Sequence, residues 1–393
     1  MEKPWEDWIP GVLNKKQMRK LVRESILKSK KIGEASIDLT LTNEAYKMLR
    51  GSVKPSSGER YSVTLQNPIL AERIDFRKDG TLTLDCDKTY VFKLAEKLDP
   101  IFATIGLYGQ ATAKSSVGRV DVLARLIVDG MDQYECFNAN SLEKQTGDMY
   151  LEVTPFTFRV KVRVGISLSQ LRLFYGDPES VKVLGPTICR TVFKESTACD
   201  ASLTVDLENT QIGGAEAVAF CAMKNTKAQP IDLWKRKGKA LADPRKYWQL
   251  VKADDEGRLT IENDRFYILR SKEKIRVPAG IAIYCKATDE TIGEMRIHYA
   301  GFVHPWFGYR DDGVVGTPLI FEVRGHQVNV SLRHRERLAN LTLYRMSEDA
   351  KPEKSNYGTQ TLQLSSFFDK WHESPGKEEK NGTVEAAGKP TQG

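Results

Sequence analysis

Residues 90–112, YVFKLAEKLDPIFATIGLYGQAT, are answered by residues 267–288, YILRSKEKIRVPAGIAIYCKAT. Each stretch opens on a tyrosine and an apolar run, crosses a charged turn and a proline, and re-enters an apolar run. Each then passes a second tyrosine and closes on Ala-Thr. A second pair follows in the same order: MYLEVTPFTFRVKV from Met149 and LIFEVRGHQVNV from Leu319, each with a glutamate inside an apolar run. Landmarks that recur in one order mark two copies of a single structural unit. The stretches around them, GTLTLDC, KTYVFKL, FRVKVRV and SQLRLF, alternate with period two between Gly, Pro, Asp and Asn. That is the pattern of many short strands in an all-β barrel or sandwich, not of βαβ units. Ahead of them, GVLNKKQMRKLVRESILKS at residues 11–29 has helical spacing and predicts an amphipathic helix.

The chain of 393 residues therefore divides into a first unit at 1–176, a linker at 177–200 and a second unit at 201–347. Residues 348–372 carry aromatics and an apolar run and are expected to dock on the body. Residues 373–393, rich in Lys, Glu and Gly, are expected to be a disordered tail. A net charge of +7 suits an anionic small ligand, and also simple solubility. The Lys and Arg residues are spread along the chain, without the basic and aromatic stripe of a nucleic-acid binder. No apolar run approaches the roughly 18 residues that span a bilayer. The N-terminus has acidic residues and no apolar core, so no secretory signal is expected, and a cytoplasmic setting follows. The six cysteines form no CxxC pair, which argues against a disulfide framework. All five histidines stand at position 298 or later, so a first-half zinc site would lack a His ligand.

Three groups could carry chemistry. Glu152 sits in the strand Tyr150-Leu151-Glu152-Val153, where desolvation would raise its pKa and fit it for general-base work. Glu322 holds the same place in the second copy. The segment KSSVGR, Lys114 to Arg119, follows a run that ends in small residues. Two hydroxyls at a helix start and a guanidinium one turn on suit phosphate oxygens. The second copy lacks this set, with Thr291 opposite Ser115 and Met295 opposite Arg119. Asp132 lies in the turn VDGMDQY, and the second copy puts His304 opposite it. The zinc route of nucleobase deaminases needs H-x-E followed by P-C-x-x-C. His334-Arg335-Glu336 supplies the first part, but no Pro-Cys pair exists. Walker and dinucleotide glycine loops are also absent.

Taken together, the chain resembles the dCTP deaminase branch of the dCTP deaminase/dUTPase superfamily, in its long two-module form. GEASIDLTL is similar to the family's first strand, and KSSVGR to its R-S-S-x-x-R signature with Lys114 in place of Arg. YLEV is similar to its glutamate strand, and Tyr357-Gly-Thr-Gln360 to its C-terminal Y-x-x-Q segment. The resemblance implies a mainly β fold of two tandem distorted jelly-roll (β-clip, dUTPase-like) barrels behind an N-terminal helix. It also implies a trimer as the favoured homo-oligomer, with sites between neighbouring barrels.

The activity implied is hydrolytic deamination of dCTP to dUTP and ammonia, in the supply of dUTP and dTTP. Glu152 would be the proton shuttle and Arg119 its partner. Lys114, Ser115, Ser116, Asp132, Tyr150, Leu151, Tyr357 and Gln360 would bind the nucleotide. Magnesium would arrive through the triphosphate, with no zinc, and dTTP is a candidate inhibitor. The first copy has the Ser-Ser-Arg set and the second has the tail, so the reaction centre is expected in the first copy. Glu322 is then a second, lower-weighted site. Two alternatives stay open: a bifunctional enzyme that carries dCTP on to dUMP, and a non-catalytic nucleotide-binding regulator on the same fold.

Overall fold

Period-two alternation becomes strands wherever one face can be buried. In the first half these are β1 (Gly11–Val12), β2 (Ile37–Met48), β3 (Ala71–Ile74), β4 (Thr81–Leu84), β5 (Tyr90–Lys97), β6 (Leu107–Ala113), β7 (Val122–Val128), β8 (Cys136–Phe137), β9 (Asp148–Pro155), β10 (Val160–Arg163) and β11 (Ser167–Tyr175). The second half contributes β12 (Ser202–Thr204), β13 (Thr210–Ile212), β14 (Ala215–Ala217), β15 (Ala219–Ala222), β16 (Ile231–Asp232), β17 (Trp248–Val251), β18 (Arg258–Ile261), β19 (Phe266–Ile275), β20 (Ile281–Ala287), β21 (Met295–Ile297), β22 (Gly301–Val303), β23 (Thr317–Gly325), β24 (Val330–Arg333) and β25 (Arg337–Arg345). This computed structural model describes residues 5–138, 147–193, 200–224, 229–234, 241–288, 295–297, 301–310, 315–352 and 360–372, with only the backbone of 295–297.

The first half forms a sheet in the order β7-β9-β5-β2-β11-β6-β8, with β4 and β10 paired apart from it. The second half splits the same plan into β17-β15-β19-β23-β21, β12-β25-β20-β22 and β18-β24. The repeat seen in the sequence is exact in register. Tyr90 pairs with Val153 and Val91 with Glu152; Tyr267 pairs with Val323 and Ile268 with Glu322. Tandem β barrels of this kind fit the reading from the sequence.

The N-terminal helix, α1 (Lys15–Arg23), is shorter than its sequence pattern. Asn14 and Gln17 cap it reciprocally, the Asn14 side chain accepting from the Gln17 N–H and the Gln17 side chain from the Asn14 N–H. Ser25 then turns into the left-handed region at φ 61°, which ends the helix. Ahead of the cap, Gly11 and Val12 instead add a short strand beside Tyr175 and Phe174. The expected linker is also structured. It contains a 3-10 turn at Pro178–Val181 and a helix at Pro186–Val192. Val192 and Phe193 enter the second-half core. Cys189 is disulfide-bonded, unlike the free Cys86, Cys136, Cys221 and Cys285, so the cysteines are not all the free thiols that the lack of a disulfide framework suggests.

The halves share a core. β16 of the second half pairs in parallel with β10 of the first, Val160 opposite Ile231. Phe158 stacks edge-on with Trp248 at 5.4 Å, Tyr247 at 5.7 Å and Phe368 at 6.5 Å, joining first half, second half and C-terminal segment. At the other end of the seam, Val12 bridges Met346. There Gly11 presses its Cα against the second half: a Cβ would stand 2.6 Å from the Ser347 nitrogen and 2.7 Å from the Met346 carbonyl carbon. Backbone cannot step aside as a flexible side chain can. Gly11→Ala should therefore destabilise the chain by about 1–3 kcal/mol, the usual cost of overpacking, read as a lower denaturant midpoint. An unchanged midpoint would mean the seam is loosely packed here.

Candidate active site at the seam between the halves

The small-residue strand β6 ends at Ala113, and Lys114 turns the chain into a single helical turn, α2 (Ser115–Gly118). Small side chains let this turn lie against the second half. Arg119 follows it and is buried at 5% exposure. Its Nη2 donates to the Gln360 side-chain oxygen at 3.0 Å. Its Nε stands 3.6 Å from Glu322 Oε1. Gln360 in turn donates to the Pro318 carbonyl at the start of β23, at 2.9 Å. The Ser365 hydroxyl donates to the Ser116 carbonyl at 2.6 Å. One first-half turn, one second-half strand and the C-terminal segment are thus tied at one point.

These residues line a cavity of about 510 Å³. Lys114, Ser115, Ser116 and Arg119 come from the first half. Cys285, Phe302, His304 and Glu322 come from the second, and Gln360 from the C-terminal segment. Lys114 Nζ is held by Asp38 Oδ2 at 2.5 Å. β23 is buried along its whole length, so the Glu322 carboxylate has lost its water. Burial pushes its pKa up to about 7, with the Arg119 guanidinium pulling the other way. Burial and the charge on Glu322 push the Cys285 thiol up to about 12. Burial, with help from the Arg172 and Lys114 charges, pushes the His304 imidazole down to about 3, so it is neutral at pH 7. Its Nδ1 is buried with no hydrogen-bond partner among the described residues.

Glu152 sits elsewhere, which corrects the expectation that it stands beside the Ser115–Arg119 turn. Its carboxylate is 1% exposed and fully engaged. Arg125, its cross-strand neighbour on β7, donates to Oε1 through Nη2 at 2.5 Å and Nε at 3.1 Å. Ser52 donates to the same oxygen at 3.1 Å, and Tyr134 to Oε2 at 3.2 Å. The Arg125 guanidinium lies 3.9 Å over the Tyr134 ring. Four donated hydrogen bonds leave this carboxylate an internal ion-pair partner, and it does not line the cavity.

Three other expected ligand residues also lie away from the cavity. Tyr150 is buried against Tyr61 at 5.8 Å, and Leu151 points into the core. Asp132 is exposed in the turn after β7. Its neighbour Asp129 is buried and accepts the Tyr61 N–H at 2.9 Å. Tyr357 and Thr291 lie outside the described residues. His304 was visible in the sequence only as the counterpart of Asp132, and Cys285 only as a thiol without a pair. Asp206, Glu208 and His334 bring ligand-type atoms within 4.8 Å of one another. Arg270 donates to Asp206, Lys272 to Glu208 and the Leu207 N–H to His334, so this is an ion-pair network.

No curated protein sequence matches the chain. Residues 9–177 match the family model of the 2'-deoxycytidine 5'-triphosphate deaminase N-terminal domain. Residues 188–368 match that of the 2'-deoxycytidine 5'-triphosphate deaminase C-terminal domain. The crystal structure of 2'-deoxycytidine 5'-triphosphate deaminase from Agrobacterium tumefaciens superposes with a TM-score of 0.76 at 27% identity, over 87% of this chain and 99% of that one. With both domain models matched in order and the fold shared from end to end, the chain belongs to the 2'-deoxycytidine 5'-triphosphate deaminase family.

Proposed function

We propose that the seam cavity deaminates dCTP by water attack at C4 of the cytosine, giving dUTP and ammonia, with Glu322 as the proton shuttle. The observation that carries this reading is a buried carboxylate, raised to about 7, that meets a buried guanidinium beside two serine hydroxyls. Water is a poor nucleophile unless a base takes its proton as the new bond forms. Ionised Glu322 takes that proton, and the C4–O bond forms. Glu322 passes that proton to N3, then takes the proton of the new C4 hydroxyl and hands it to the amine, so that C4=O forms as the C4–N bond breaks and ammonia leaves. A base with a pKa near the working pH is matched to both halves of that task. Arg119, held by Gln360, keeps part of the Glu322 population ionised and orients the water.

Ser115, Ser116 and Lys114 are assigned to the phosphates. His304, neutral and with a vacant nitrogen, offers a hydrogen bond to the nucleotide. The donor set fits a triphosphate that carries its own magnesium: serines, Lys114 and Arg119 donate, and Asp38, the nearby carboxylate, is taken by Lys114. Bound magnesium would supply charge neutralisation at the phosphate oxygens. Glu152 is assigned a structural role, because Arg125, Ser52 and Tyr134 donate to it and it does not line the cavity.

Ammonia release from dCTP with magnesium, compared with CTP and dCMP, tests the activity, and pyrophosphate measured alongside separates deamination from a further step to dUMP. Glu322→Gln should lower kcat/KM by about 10²–10⁴-fold, the range of acid–base help. Glu152→Gln should change it by less than about tenfold, equal to about 1.4 kcal/mol. The reverse ranking would return the reaction centre to Glu152. In the wild type, kcat/KM should rise with pH through about 7 as Glu322 ionises; a flat profile from pH 5 to 8 would contradict the assignment.

Stability carries the same signature. A pKa raised in the folded state means stability that is full below the ordinary value near 4.5 and is lost as pH rises through about 7. Glu322→Gln cannot lose that proton. Between pH 5 and pH 8 its stability should therefore gain on wild type by up to about 3 kcal/mol, read from denaturant midpoints. A gap that does not move with pH would mean Glu322 titrates normally.

A further inference from the structure

Two residues beyond each member of the Arg119–Glu322 pair stand Asp121 and Arg324. Strand periodicity puts Arg324 on the same face of β23 as Glu322. Arg324 Nη2 is ion-paired with Asp121 Oδ2. The same nitrogen donates to Thr157 Oγ1 at 2.6 Å, and Thr157 donates to Asp121 Oδ2 at 2.5 Å. Arg324 Nη1 reaches Asp264 Oδ1 at 2.7 Å, and the guanidinium lies 5.6 Å from the Phe156 ring centroid. Asp121 is fully buried and holds a left-handed φ of 57°, unusual for a residue with a side chain. Its backbone is fixed on both sides: its N–H donates to Gly118, and its carbonyl accepts from Phe156.

The polarity is crossed. The first half offers a cation and then an anion, and β23 offers an anion and then a cation. A two-residue slip of β23 along the turn would oppose Arg119 to Arg324, or Asp121 to Glu322, in a buried seam. Like charges there are strongly disfavoured. The two rungs also differ in kind. The Asp121–Arg324 rung is tied further to Thr157 and Asp264. The Arg119–Glu322 rung, 3.6 Å from Nε to Oε1, lines the cavity. A pair anchored to Thr157 and Asp264 is suited to holding the neighbouring pair that faces the cavity.

We propose that Asp121 and Arg324 are positioning residues for the reaction: their buried pair fixes the register in which Arg119 meets Glu322, and so the place of the base over the phosphate cradle. This rests on the reading of Glu322 as the base. It touches no substrate atom, so its loss should act on turnover more than on binding.

The test is Asp121→Asn, which keeps the shape and one acceptor and removes the charge. Steady-state ammonia release should fall in kcat by about 10²-fold, the effect of misplacing a catalytic group by about 1 Å, while KM for dCTP stays close to wild type. Thr157→Val removes two hydrogen bonds, one to each member of the pair, but leaves the ion pair. It should lower the melting temperature and keep kcat. Arg324→Lys keeps the charge without the fork and should fall between them; it is read by the same criteria if Asp121→Asn does not fold. A folded Asp121→Asn with wild-type kcat would overturn the proposal, and so would Thr157→Val losing as much kcat as Asp121→Asn. A wild-type chain that released no ammonia would overturn the deaminase reading instead. Register would then be judged from a crystal structure of the same variant: an Arg119–Glu322 gap wider than 3.6 Å supports the proposal, and an unchanged gap rejects it.

Discussion

The approach of Arg119 to Glu322 across the seam holds together the rest of this molecule's chemistry. Neither residue can be buried alone, since an uncompensated charge inside a protein is costly. Together they form an attractive pair. Burial raises the carboxylate to about 7 while the guanidinium 3.6 Å away pulls it down. The approach exists only because the two halves pack as one body. The Phe158, Trp248 and Phe368 cluster and the β10–β16 pairing bring β23 against the turn after β6. Gln360 then clasps Arg119 to the start of β23.

The contrast between the two glutamates shows how environment sets the role of one residue type. Both sit at equivalent ladder positions in strands buried on each face. Glu152 faces its own half, where Arg125 gives it two donated bonds and Ser52 and Tyr134 one each. Such a carboxylate is held within its own half by four donated hydrogen bonds. Glu322 faces the other half and has a cavity before it. Doubling the fold in one chain explains why each half could lose part of the set. One turn and one strand from different copies suffice for one complete site, so the matching turn and strand are released from that duty.

Much of this was legible in the sequence. The tyrosine-led repeats gave the architecture, and their alignment predicts the register: residues 90 and 267 oppose the valines that follow each glutamate. The Ser-Ser-Arg set and Gln360 were found from hydroxyls, a guanidinium and a tail with apolar anchors. What the sequence did not carry was which glutamate meets the arginine. Period-two spacing says that a residue points inward, but not which surface it meets. Glu152 was favoured because YLEV resembles the family's glutamate strand and stands in the copy that carries the Ser-Ser-Arg set. The complementary loss between copies suggested a pooling of parts, and the structure brings Arg119 to Glu322 of the second copy, not to Glu152. Arg125, directly opposite on the neighbouring strand but 27 residues away in sequence, gives no sign in the chain that it pairs with Glu152. Helix α1 fell short of its pattern for a similar reason, because Gly11 and Val12 found better partners on the seam.

The central claim is that the nucleotide sits between the halves with its base at Glu322. A crystal structure of the Glu322→Gln variant with dCTP and magnesium addresses it most directly, since the substrate should persist there unreacted. The account predicts the triphosphate against Ser115 and Ser116, and the exocyclic amine of cytosine turned towards residue 322 beside Arg119. Nucleotide density seated instead at Glu152 and Arg125, with the seam cavity holding only solvent, would contradict it.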